Sequence, residues 1–430
     1  MKKLPDYPLF TVIIPQKDRA EYLIHTLRTC MIQDYPNFEI IVSDDCSADN
    51  SVEIVSDFMK RDPRIKLFAH NAHIGMRENF EFSLNQVRPG YVMALGGDDG
   101  LTPRSIWRMY EILSTTNREL LSWTPAGFTY SDYEGGKNIF YIKRKKNQGV
   151  KFIKSEVFLN SLTKTFIYQA DDCPMLFMKA VASTALIDRV KSRTKDHSFY
   201  YCATPDGFSG IVLAGEVDDY AFTYEPLSIG GSTVKSQGRN YQRTDQKSKE
   251  VAQQFFKDNI NRKMHVELAS QEYSPLVTLM TADYLLTARD LNGWPGKFVP
   301  ISYEKLLRAS FKLIENSSFK NEVLIRELNI LKEIAKQHGL LDLFNQLMVK
   351  TKRKVFIIED VYGFVITNSI RFEGTELGIN NIFDASLATN FVYNFYNKVS
   401  INEIFRFIRN TLRIIIRNMK IRRESLPSIT

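Results

Sequence analysis

Residues 91–103 read Tyr-Val-Met-Ala-Leu-Gly-Gly-Asp-Asp-Gly-Leu-Thr-Pro. The run Tyr91–Leu95 has the length and apolar character of a buried strand. It stops at glycines that surround the paired carboxylates Asp98 and Asp99. Glycine lets backbone approach a ligand closely. Two adjacent carboxylates offer hard oxygen ligands to Mg²⁺ or Mn²⁺, which can in turn hold phosphates. Thr102 followed by Pro103 reads as a helix cap with proline at the first helical position.

Upstream, the same alternation repeats. Phe10–Ile14 (FTVII) is a β-branched run closed by Pro15, Phe38–Ser43 (FEIIVS) is stopped by Asp44-Asp45-Cys46-Ser47, and Ile65–Phe68 is a third short strand. Between them Leu23, Ile24, Leu27, Cys30 and Met31, then Val52, Val55, Phe58 and Met59, then Phe80, Leu84 and Val87 fall at helical spacing. Asp18 fits a helix N-cap with Glu21 in the capping-box position. Such alternation implies right-handed βαβ units and a parallel sheet. Ligands of such sheets bind beyond the carboxyl ends of the strands. Those ends carry Pro15–Arg19, Asp44–Asp49 and Gly96–Gly100, so paired acids stand at two strand ends on one rim. Aspartates are also ordinary turn and cap residues; the glycines make the Asp98-Asp99 pair the sharper of the two. There is no GxxxxGK[ST] and no GxGxxG after the first strand, which disfavours a P-loop nucleotidase and a dinucleotide dehydrogenase.

Composition narrows the class. The 430 residues are 44% hydrophobic and 25% charged, which is globular and argues against disorder or a disulfide scaffold. The net charge is +8, but residues 401–430 hold seven basic and two acidic side chains and so supply +5 of it. A nucleic-acid-binding surface is therefore disfavoured, and a local basic tail is indicated. Cys30, Cys46, Cys173 and Cys202 are isolated, which fits a reducing compartment rather than a zinc ribbon. The six histidines form no metal-ligand pattern. There is no signal-peptide run at the N-terminus, and no apolar stretch of about 18 residues.

Taken together, V-I-I-P at Val12–Pro15, R-A-E-Y-L-I-H-T-L at Arg19–Leu27, Q-D-Y-P-N-F-E-I-I-V-S-D-D-C-S-A-D-N-S at Gln33–Ser51, Asn71, Gly75 and Asn79, and the 91–103 stretch resemble glycosyltransferase family 2. The resemblance covers roughly residues 8–115 well and 170–235 loosely. It implies an α/β, GT-A (Rossmann-like) nucleotide-sugar-binding domain. By that resemblance Pro15 and Asp45 line the base pocket, with Asp18 and Arg19 nearby, and Asp45 accepts from a base ring N–H, favouring uridine. Asp98 and Asp99 bind Mn²⁺ or Mg²⁺ and grip the diphosphate. Gly96 stands where the family often has a further Asp, which points to weaker or less strict metal dependence. The general base of an inverting transfer lies in a later acidic motif; here the matching place is Ala203–Phe208, with Asp206 at a helix start. Asp171-Asp172 and Asp218-Asp219 are the competitors.

Elsewhere, Met178–Val190 reads as a helix, Phe128–Gln148 as a hairpin or flap, and Ser232–Arg239, with Lys235 and Arg239, as a loop closing over the diphosphate. From about Asp245 the pattern turns helical, with strand-like runs at Val355–Ile358 and Phe364–Thr367. Placed on a helix, residues 401–421 put Ile401, Ile404, Phe405, Ile408, Leu412, Ile415, Ile416 and Met419 on one face beside a stripe of Arg406, Arg409, Arg413, Arg417 and Lys420, the form of a helix lying on a membrane surface. The expected organisation is a GT-A domain at 1–240, a mainly helical accessory or oligomerisation region at 241–400, and a basic tail at 401–430. The expected activity is inverting transfer from a UDP-sugar to a glycan acceptor, polyprenyl-linked, with residues 401–423 on the anionic inner face of the cell membrane. A degenerate sugar-nucleotide-binding protein and a nucleotidyltransferase are the alternatives; the loop Pro15–Arg19 lacks the glycines of the latter.

Overall fold

The computed structural model describes residues 7–133, 136–143, 149–236, 246–259, 262–317, 319, 321–358, 365–366, 369–398 and 419–425. Four parallel strands form its first layer: β1 (Phe10–Gln16), β2 (Phe38–Asp44), β3 (Ile65–Ala69) and β4 (Tyr91–Ala94). β1 pairs with both β2 and β4, and β2 with β3. Every residue of β1 and β2 is buried, as expected for strands covered on both faces. The crossovers are α1 (Ala20–Met31), α2 (Ser51–Met59) and α3 (Met76–Asn85).

The chain continues through β5 (Gly100–Leu101), α4 (Ser105–Thr116), β6 (Leu120–Trp123), β7 (Ala126–Thr129), β8 (Ile139–Lys143), β9 (Val150–Lys154), α5 (Ser155–Thr165), β10 (Ala180–Ser183), α6 (Thr184–Lys191), α7 (Asp206–Gly215), β11 (Asp219–Thr223) and β12 (Ser228–Ser232). The helices α8 (Gln246–Asp258), α9 (Val277–Arg289), α10 (Tyr303–Glu315), α11 (Asn321–Gln337) and α12 (Leu341–Lys350) follow. They precede β13 (Lys352–Ile358), β14 (Val365–Ile366), β15 (Ser369–Glu373), α13 (Ile382–Lys398) and β16 (Met419–Ser425). The central sheet has the order β3-β2-β1-β4-β10-β6-β11-β9, and a second sheet runs β14-β15-β8-β7-β12-β5. This is a mixed α/β fold with a helical C-terminal region. The expected hairpin is present as the antiparallel pair β7–β8, and β15 extends it at its far edge. α13 returns to the N-terminal part: Arg28 lies over the Phe383 ring at 3.9 Å, and Ser386 Oγ donates to Leu101 O at 2.6 Å.

Four local expectations fail, each for a tertiary reason. Met178–Val190 is not one helix. Ala180–Ser183 is an antiparallel strand between β4 and β6, and α6 begins only where Ser183 Oγ caps the Leu186 amide at 3.1 Å. Pairing on both edges outweighs a spacing compatible with helix. Asp18 is not the cap of α1. It sits at φ 52, and Asp49 Oδ2 instead accepts from the Ala20 amide at 3.0 Å. Asp18 Oδ1 in turn accepts from the Ala48 amide at 2.6 Å, so the two strand-end loops cap one another. Thr102 does not cap α4 either, because its hydroxyl donates to Pro226 O at 3.0 Å. The expected tail helix does not reach its last residues: Met419–Ser425 is a strand antiparallel to β13. Residues 401–418 lie outside the described residues, as does Arg239.

Candidate active site

The carboxyl ends of β1, β2 and β4 converge, and their loops are tied by hydrogen bonds. The Asp45 amide donates to Gln16 O at 2.9 Å. Its buried carboxylate accepts from the Ile74 and Gly75 amides at 2.7 and 3.2 Å and pairs with His73 Nδ1 at 2.7 Å. His73 Nε2 reaches Asp258 Oδ2 at 3.0 Å, so the first acid site is joined to α8. Pro15 is buried in β1 opposite Ser43 of β2.

The second acid site follows β4. Arg19 Nη1 contacts Asp98 Oδ2 at 2.6 Å, and Thr233 Oγ1 donates to the same oxygen at 3.3 Å. Asp99 is buried and accepts from the Gly96 amide at 2.7 Å and the Gly231 amide at 2.9 Å. Burial, then the Asp98 charge, push the Asp99 carboxyl up to about 7, against the pull of those two amides and Arg19. A Cβ on Gly96 would stand 2.9 Å from Asp99 Oδ2 and 3.0 Å from Asp98 Oδ1, so a side chain at that position would require the two carboxylates to shift. The segment after β12 folds over the site: Arg19 Nη2 donates to Lys235 O at 3.1 Å, and Lys235 Nζ donates to Asp18 O. Arg19, Asp18, Asp98 and Asp99 thus share one rim with Thr233 and Lys235. Among the described residues no group of three His, Cys, Asp or Glu side chains forms a cage for a cation.

Asp206 is the first residue of α7. Tyr168 Oη donates to its Oδ2 at 3.0 Å, while its Oδ1 is buried with no hydrogen-bond partner. The segment between them and the acid loop is continuous: the Leu176 amide donates to Ser209 Oγ of α7 at 3.0 Å, and the Met178 amide to Ala94 O of β4 at 2.7 Å. Two of the four competing acids are otherwise engaged. Asp219 pairs with Arg118 at 2.6 Å and Lys154 at 3.3 Å, and Asp171 pairs with Lys143. Asp172 is held above the usual carboxylate range by burial. Lys179 Nζ, almost fully enclosed, clamps this turn through Ala170 O and Asp171 O at 2.6 and 2.8 Å. His73, Tyr168, Lys179 and Gly231 carry no local motif; each acquires its place only through partners distant in sequence.

Comparison with known proteins finds relatives among glycosyltransferases. Residues 11–168 match the family model Glycosyl transferase family 2. An uncharacterized glycosyltransferase of Haemophilus influenzae is 25% identical over 151 residues, 35% of this chain and 59% of its own length. The GalNAc(5)-diNAcBac-PP-undecaprenol beta-1,3-glucosyltransferase of Campylobacter jejuni is 36% identical over 95 residues, 22% of this chain and 31% of its own length. The matches therefore span less than two thirds of either relative. The crystal structure of S. aureus TarS 1-349 with UDP-GlcNAc aligns over 83% of this chain and 96% of that one, at 15% identity and a TM-score of 0.44. The family match runs from β1 through the acid-bearing ends of β2 and β4 to Tyr168, and over these residues the chain is similar to glycosyl transferase family 2.

Proposed function

We propose that the chain transfers a sugar, of the hexosyl or N-acetylhexosaminyl class, from a UDP-sugar to a hydroxyl of a glycan acceptor in surface polysaccharide biosynthesis, with inversion at the anomeric carbon. The observation that carries the reading is Asp206, whose Oδ1 is buried and unpartnered at the start of α7. A buried carboxylate oxygen without a donor is costly. An acceptor hydroxyl would satisfy it, and would lose its proton to it as the oxygen attacks the anomeric carbon. Asp45, buried beside Pro15's strand, holds the wall of the base pocket. Arg19 and Lys235 place positive charge beside the diphosphate.

A Mn²⁺ or Mg²⁺ ion fits the second acid site as a cation with few protein ligands. Both Asp99 oxygens accept backbone amides and Asp98 Oδ2 is paired with Arg19, which leaves Asp98 Oδ1 as the ligand. Such an ion, when bound, would offset charge developing on the departing diphosphate. Asp99 then serves mainly to shape the loop that presents Asp98. The same internal satisfaction of Asp99, with Gly96, favours a second reading, a catalytically degenerate sugar-nucleotide-binding or scaffolding protein.

The polyprenyl-linked acceptor is supported by the name of the Campylobacter relative and by the basic, apolar pattern of 401–423. With such an acceptor the protein would work at the cytoplasmic face of the membrane. No helix among the described residues is long and apolar enough to cross a membrane. The test is a thermal-shift screen against UDP and UDP-sugars with and without Mn²⁺, since ligands of the native state raise the melting temperature, followed by UDP release. Binding and release support transfer. Binding without release supports the degenerate reading, and no binding refutes both. Asp206→Asn should bind donor and fail to turn over. Deletion of 401–430 should abolish binding to anionic vesicles; unchanged binding would refute the membrane role.

A further inference from the structure

A carboxylate acting as base needs one oxygen held and the other presented. The two oxygens of Asp206 differ: Oδ2 is bonded to Tyr168 Oη at 3.0 Å, while Oδ1 is buried without a donor. Tyr168 is itself fixed by the C-terminal helices. Its amide donates to Thr281 Oγ1 of α9 at 3.1 Å. Its ring meets that of Tyr284, also on α9, edge to face with centroids 5.5 Å apart. The Tyr284 hydroxyl is hydrogen-bonded to Thr204 Oγ1, two residues before Asp206. Gly207 completes the contact: a Cβ there would lie 2.6 Å from both rings, so α7 starts pressed against the tyrosine pair.

We propose that Tyr168, braced by α9, is the positioning residue for Asp206, fixing the rotation of its carboxylate and leaving Oδ1 to meet the acceptor hydroxyl. This rests on Asp206 being the base. It gives the helical region a part in the reaction, since α9 lies outside the family-matched residues 11–168. Burial and the neighbouring carboxylate hold the Tyr168 hydroxyl well above its ordinary pKa, so it remains a donor throughout the working range. Burial, with the Asp206 charge adding to it, also keeps Tyr284 and Cys173 protonated. The hydrogen bond from Tyr168 holds Oδ2 and leaves Oδ1 without a donor.

The experiment is Tyr168→Phe in the full chain, with UDP-glucose and UDP-N-acetylglucosamine as donors and water as acceptor. UDP release is expected to fall about tenfold in kcat with donor KM unchanged. The acid limb of the rate profile, and the carboxyl ¹³C titration assigned by its loss in Asp206→Asn, should move to higher pH when this donor is removed. The NMR titration reads the same quantity without turnover. The double variant Tyr168→Phe/Asp206→Asn should be no slower than Asp206→Asn alone, because Tyr168 acts through Asp206. An unmoved titration, or additive losses, would overturn the proposal. Normal turnover by Asp206→Asn would instead refute the base itself. Should Tyr168→Phe not fold, 3-fluorotyrosine at position 168, a stronger donor of the same shape, must move the Asp206 titration to lower pH; no movement overturns the proposal.

Discussion

The Gly231 amide donates to Asp99 Oδ1 at 2.9 Å, so a residue 132 positions further along the chain holds the second acid of the strand-end pair. The approach is close enough to exclude any side chain at 231, where a Cβ would stand 1.8 Å from Asp98 O. Gly231→Ala must therefore part β12 from the acid loop, since a backbone oxygen has no rotamer to escape into. Overpacking of this kind costs about 1–3 kcal/mol. Calorimetry should show a lower melting temperature, and titration should show weaker UDP binding. A variant with unchanged melting would show that the two backbones separate freely.

Stability should depend on pH through the same acid. Asp99 is raised in the folded chain to about 7 from 3.8, so the native state keeps a proton that the unfolded chain has released. The stability contributed by this group is present below about pH 4 and is lost as pH rises towards 7. Asp99→Asn should flatten that fall while retaining an acceptor for the Gly231 amide. Asp283, raised to about 6 by burial, acts in the same direction over a narrower window, so Asp283→Asn is the control. A melting-temperature difference between wild type and Asp99→Asn that stays constant from pH 4 to 7 would contradict the assignment.

Arg19 and a divalent cation should compete for Asp98. Their ion pair, with N–O at 2.6 Å, occupies Oδ2. Arg19→Ala is expected to tighten Mn²⁺ binding by about tenfold, the equivalent of 1.4 kcal/mol, and to weaken binding of metal-free UDP. Calorimetric titration with MnCl₂ alone and with UDP alone reads the two effects separately. Equal Mn²⁺ affinity in both proteins would remove Asp98 from the metal site.

His73 joins Asp45 to Asp258 across two loops, at 2.7 and 3.0 Å. The bridge is partly exposed, so His73→Ala should cost only about 0.5–1 kcal/mol of stability. Its effect should fall on the base pocket. UDP affinity should drop while affinity for inorganic diphosphate stays the same. An equal loss for both ligands would argue that His73 supports the phosphate site instead.

Much of the N-terminal half is legible from the chain alone. The strands at Phe10, Phe38 and Tyr91 are apolar runs ended by proline, aspartate or glycine, the strand at Ile65 is a shorter run, and Leu23, Leu27 and Cys30 face the core at helical spacing. The helix start at Asp206 and the β7–β8 hairpin were legible too. The caps were not. Asp18 looks like the cap of α1, yet Asp49, from the neighbouring loop, does that work, because the two loops meet only when β1 and β2 pair. Ala180–Ser183 resembles helix for the same reason: its strand character comes from β4 and β6, not from its own residues.

By itself the sequence determined the parallel core, the rim on which its acids stand and the family resemblance, because hydrophobic periodicity and turn residues act over a few positions. The tertiary structure decided which oxygen of each acid is held and which is left. Asp98 is held by Arg19, Asp99 by Gly231 and Asp206 by Tyr168, partners 79, 132 and 38 residues away. Hydrogen bonds to a buried carboxylate depend on direction and distance at the scale of tenths of an ångström, and that geometry exists only once sheets and helices have packed.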